Sequence, residues 1–77
     1  MNVGMLWFDN DPKLPLNSKV EKAATFYQRK YGHVPDTCLV HPSMLTEPVS
    51  AVGRVTVRSN RAILPGHLWI GVEENQA

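Results

Sequence analysis

Two segments, VGMLWF at residues 3–8 and HLWIGVE at 67–73, carry large apolar side chains on both faces of an extended strand. Successive side chains on a strand point to opposite faces. Val3, Met5 and Trp7 therefore share one face of the first, and Leu6 and Phe8 the other. In the second, Leu68, Ile70 and Val72 oppose Trp69. Strands of this kind need cover on both sides. Cover is scarce here. One segment alone reads as a long helix, SKVEKAATFYQRKYG at 18–32. Ser18 and Glu21 have the spacing of a capping box, and Gly32 supplies the left-handed residue that commonly ends a helix. Val20, Ala23, Ala24, Tyr27 and Tyr31 form one apolar stripe. One helix covers one sheet face, and the loop residues Leu14, Leu16, Met44 and Leu45 are too few to hide the second. A two-fold partner is the simplest remedy, because a self-complementary patch then buries itself. The expectation is a homodimer held through the sheet face or edge carrying Trp7 or Trp69.

The rest of the chain completes a small sheet. DNDPKLPLN (9–17) is a loop, since Asp and Asn bond their own backbone in turns and Pro12 and Pro15 interrupt regular structure. TCLVH (37–41) reads as a short strand, and Pro42 suits the start of a helical turn before Pro48. RVTVRS (54–59) alternates, with Val55 and Val57 on one face and Arg54, Thr56 and Arg58 on the other. Pro65-Gly66 breaks the chain before the last strand, and ENQA is a polar tail. These elements predict a single α/β domain over residues 1–77, of the two-layer α+β kind. Its order is β-α-β-β-β, with a mixed four-stranded sheet and one long helix packed on one face. The strand-helix-strand unit implies that the first two strands are parallel. The last two are expected as an antiparallel pair, and the strand order as 2-1-4-3.

Composition narrows the class. With 43% hydrophobic and 19% charged residues among 77, the chain is a folded domain rather than a disordered tail. A single cysteine forms no internal disulfide, and in so short a chain that favours a reducing compartment. The start MNVGMLWFDND has neither the basic region of a signal peptide nor the length of a membrane span. A cytoplasmic location is expected.

Candidate chemistry begins at CLVH, where Cys38 and His41 stand three residues apart. On a strand that spacing places them on opposite faces, so no thiol–imidazole dyad forms, and Cys38 reads as a core thiol. Cys38, His33, His41 and His67 lack the paired spacing of a zinc site. Scattered glycines form no phosphate loop, and no nucleophile elbow is present. No catalytic residue, cofactor or metal is assigned. Two weaker constellations remain. Ligands of open sheets gather beyond the carboxyl ends of parallel strands. There the sequence places Asp9, Asn10 and Asp11 after the first strand, and His41 and Ser43 after the second. Those groups suit a cation or a shared proton, although turn chemistry is the simpler account of them. On the helix, Lys19, Lys22, Phe26, Arg29 and Lys30 are expected on the side away from Val20 and Tyr27, an aromatic among cations of the kind that holds nucleic acid. A net charge of +1 argues against a large electrostatic footprint.

The expected role is a small non-enzymatic protein-interaction or self-association module without a membrane. A nucleic-acid-associated protein using the basic helix face is the alternative. A small enzyme or metal binder at Asp9, Asp11 and His41 is the third reading.

Overall fold

The computed structural model describes residues 3–46 and 49–73. Pro48 and the ENQA tail lie outside them. Strand β1 (Val3–Phe8) leads into helix α1 (Leu16–Tyr31), then β2 (Thr37–Val40), a 3-10 turn (Pro42–Met44), β3 (Val49–Val52), β4 (Val55–Ser59) and β5 (His67–Val72). The strands form one mixed sheet of order β1-β5-β2-β4-β3, with α1 packed on one face. The α+β class and single long helix agree with the sequence reading. The sheet has five strands rather than four.

The added strand is VSAV. It forms a hairpin with β4 in which Val52 faces Val55 across the two-residue turn Gly53-Arg54. Gly53 has φ +60°, and no non-glycine residue among those described has a positive φ. That sign pattern is the II′ hairpin turn, which wants glycine first. VSAV is short and partly small-chained, so the turn is its strongest signature.

Strand order also departs from 2-1-4-3. Strands β1 and β2 are parallel in direction, as the strand-helix-strand unit implied, but β5 lies between them and pairs antiparallel with both. The strongly apolar β1 and β5 are neighbours, yet β1 sits at the edge. Nor are β4 and β5 a hairpin pair. Strand β2 separates them and pairs parallel with β4. The 60–66 loop makes this passage over the end of β2, where the Asn60 N–H donates to the Val40 carbonyl at 2.7 Å.

Helix α1 starts before Ser18. Pro15 is the N-cap, with φ −68° and ψ 158°, and its carbonyl accepts from the Ser18 and Lys19 amides at 3.1 and 3.2 Å. Ser18 is thus inside the first turn and no side chain caps the helix, so the capping box with Glu21 does not form. Proline wins because its fixed φ and extended ψ already deliver the chain to the helix, at a position where its missing N–H costs nothing. The other end is as expected: Gly32 has φ +82° and donates to the Gln28 carbonyl at 2.8 Å.

Between the layers lie Val20, Ala23 and Tyr27 from α1, Cys38 and Val40 from β2, Val55 and Val57 from β4, and Leu68 and Ile70 from β5. Met5, Trp7, Leu16, Met44, Leu45 and Val72 pack around this cluster. Leu16, Met44 and Leu45 therefore thicken the helix layer. They do not cover the opposite face.

Candidate functional site

At the strand-end edge, β1 and β2 do finish at the same end of the sheet, with β5 starting between them at His67. Two strand spacings, roughly 10 Å, separate the ends of β1 and β2. Asp9, Asp11, His41 and Ser43 are each engaged by their own loop. Asp9 Oδ1 accepts from the Asp11 amide at 3.1 Å, and Asp11 Oδ1 from the Lys13 amide at 2.9 Å, two successive Asx turns. His41 is the N-cap of the 3-10 turn: its Nδ1 accepts from the Ser43 amide at 3.1 Å and lies 2.8 Å from the Ser43 hydroxyl. Asn10 is exposed, its Cβ near Gly66. The Phe8 and His67 rings, 4.8 Å apart, stand between the two loops. No group of three or more His, Cys, Asp or Glu among the described residues is placed to hold a metal ion. The arrangement builds turns.

Cys38 is fully buried under the helix, and burial pushes its thiol up to about 12. A thiol so hard to ionise is no nucleophile at neutral pH.

On the helix, the basic residues separate. Lys19 is only 8% exposed and belongs to the buried side beside Val20. Lys30 stands over the Tyr31 ring, its Nζ 5.5 Å from the centroid. Lys22, Phe26 and Arg29 remain together on one stripe, because their spacings of four and three bring them to one side of the helix. This stripe forms one wall of a groove of about 540 Å³, whose other side is Trp7 on β1 and Leu14 in the preceding loop. Ser18, Glu21 and Thr25 complete it. The Trp7 and Phe26 rings lie 5.1 Å apart, inclined at 48°. The Trp7 indole Nε1 is buried without a hydrogen-bond partner, an arrangement that costs about 1–3 kcal/mol. Helical spacing alone groups Ser18, Lys22, Thr25, Phe26 and Arg29. That Trp7 and Leu14 face them needed the tertiary structure.

The other sheet face has no helix over it among the described residues. Leu6, Trp69, Leu39 and Arg58 are register partners across β1, β5, β2 and β4, forming one row. Leu6 is 64% exposed and Phe8, on the same face, 58%. Trp69 is half-buried because its indole lies against Gly4, where any Cβ would run into the ring. Gly4 and Gly71 are themselves register partners, so that strip brings no side chain of its own and leaves room for the indole. Toward β4 the face turns polar, with Asp36, Thr37, Arg54, Thr56, Arg58 and Glu73 around a shallow depression. There Arg58 pairs with Glu73, and Asp36 Oδ1 accepts from the Thr37 hydroxyl at 2.7 Å and the Glu73 amide at 3.0 Å. The two tryptophans thus divide: Trp7 lines the helix-side groove and Trp69 the open face.

Comparison with protein-family models, curated proteins and solved structures finds no match. No helix among the described residues is long and apolar enough to cross a membrane.

Proposed function

We propose that this protein is a self-association module whose open sheet face meets the same face of a second copy. The observation that carries this reading is the pair Leu6 and Phe8, more than half exposed beside Trp69 and Leu39 on a face that no described helix covers. A second copy suits the chemistry of the whole face. Its apolar half buries itself across a two-fold axis, and its polar half holds two acids, Asp36 and Glu73, with two bases, Arg54 and Arg58, so it complements its own charge. Neither a catalytic constellation nor a cofactor is part of this reading.

Size sets the strength. Strand spacing and rise give a face of roughly 24 by 18 Å, some half of the ~800 Å² per partner that a standard interface buries. The dimer is therefore of the weak, concentration-dependent kind that small interfaces form. Light scattering coupled to size exclusion, run over a dilution series, tests it. The expected result is a dimer mass at high concentration that falls toward monomer on dilution and is lost in Phe8→Lys. A monomer mass at the highest soluble concentration overturns the proposal. Leu39→Lys, two strands in from the β1 edge, distinguishes face packing, which it disrupts, from edge-to-edge pairing, which it spares. Far-UV circular dichroism confirms that each variant is folded.

A further inference from the structure

The groove between α1 and β1 is a second surface, on the opposite layer from the open sheet face, and face-to-face pairing leaves it accessible. We infer that it holds a short run of single-stranded nucleic acid, with one base against Phe26 and Trp7 and the flanking phosphates at Lys22 and Arg29.

Several observations meet there. Phe26 is 46% exposed, in the middle of a helix that has a buried stripe elsewhere to fill. It stands between two cations, Lys22 one turn before it and Arg29 one turn after, and both line the same groove. An aromatic surface flanked by positive charge is the sequence-tolerant way to hold a strand: bases stack on the rings while the cations hold the backbone. Trp7 extends the aromatic surface. Trp7 keeps a buried indole N–H unpaired, where a phenylalanine would give apolar packing without that loss. The indole also offers a wider stacking face beside Phe26 than a phenylalanine would.

The remaining lining chooses among anionic partners. Glu21 sits in the groove with the cations. Its carboxylate repels phosphates and the side chains of an acidic peptide alike, but it accepts hydrogen bonds from the amino and imino groups of bases, donors that acidic side chains lack. Ser18 and Thr25 bring hydroxyls that bond to either phosphate or base. At about 540 Å³ the space is in the range of ordinary ligand sites, and Lys22 and Arg29 stand about 10 Å apart along the helix axis. That separation suits a backbone running past a base better than the clustered phosphates of a free nucleotide.

The test is fluorescence anisotropy of a short labelled oligothymidylate titrated with the intact protein at several salt concentrations. Binding is expected at low salt and should weaken as salt rises. Phe26→Ala, at an exposed position, should weaken it about tenfold while leaving the salt slope unchanged. The double variant Lys22→Gln and Arg29→Gln should lower that slope by about 0.7 per cation removed. In a Trp69→Phe background, Trp7 emission should change on binding. Arg61→Gln, outside the groove, serves as the control and should bind as the parent does. The inference is overturned by absence of binding at low salt, by a Phe26→Ala variant that binds as tightly as the parent, or by an Arg61→Gln loss equal to that at the groove. Displacement by polyglutamate as effective as by unlabelled oligothymidylate also overturns it, since the groove then reads charge alone.

Discussion

Cys38 and Gly4 show how single residues are decided by their neighbours. The thiol faces the core and is fully buried, so it should react with a thiol reagent far more slowly in native protein than in denaturant. Fast native labelling would mean the β2 register is wrong. Its folded pKa, raised by burial from 9.0 to about 12, also fixes a direction for pH. Below pH 9 the thiol is protonated in folded and unfolded chains alike and contributes no pH dependence. Between about 9 and 12 the unfolded chain ionises first, so stability falls as pH rises, by at most about 1.4 kcal/mol per unit from this group. Tyr27, raised by burial and then by Tyr31 and Asp36, acts in the same direction. A Cys38→Ser variant whose chemical-denaturation stability declines as steeply over that range would remove the thiol as a cause. At Gly4, Gly4→Ala should displace the Trp69 indole from the sheet, shifting tryptophan emission to the red and weakening self-association more than it lowers stability. Unchanged emission would show that the ring is not seated there.

Among the elements, α1 and the β3-β4 hairpin carry the corrections and the sharpest tests. Since Pro15 and not Ser18 is the N-cap, Ser18→Ala should change stability by less than about 0.5 kcal/mol, whereas losing a true cap costs about 1 kcal/mol. A urea midpoint shift of the larger size would restore the capping box. Gly53 holds the hairpin turn at φ +60°. Gly53→Val should cost more than about 1 kcal/mol, because a β-branched residue resists that conformation, and Gly53→Asn less. Equal losses from the two substitutions would argue against the II′ turn. The strand-end loops teach the converse. DND and HPS each bring the polar residues expected of a ligand site, yet Asp9, Asp11 and His41 each spend an acceptor on the backbone amide two residues onward. In a run of consecutive polar residues, local turn chemistry competes first for every acceptor.

For the whole molecule, one 16-residue helix against five strands is too little cover, and both proposed surfaces arise from that shortage. On the helix side a groove remains over the β1 edge; on the other side the apolar row stays open. If the second copy supplies the missing cover, the melting temperature should rise with protein concentration, since association stabilises the folded form by mass action. Each kcal/mol gained is worth about 4–8 °C in a domain of this size. A melting temperature flat across the accessible concentration range would separate the open face from self-association. The sequence by itself determined the period of each main element, the helix end at Gly32, the core position of Cys38, the shared strand faces of Cys38 with Val40 and of Leu68 with Ile70, and the surplus of apolar surface over one helix's cover. Those features follow from local alternation and helical spacing, which a chain carries wherever it folds. The tertiary structure alone decided that β5 enters between β1 and β2, that Trp7 meets Phe26, and that Trp69 comes to rest on Gly4. Each depends on pairing segments far apart in the chain, and the alternation that tells a strand which face to bury is silent on which strand lies beside it.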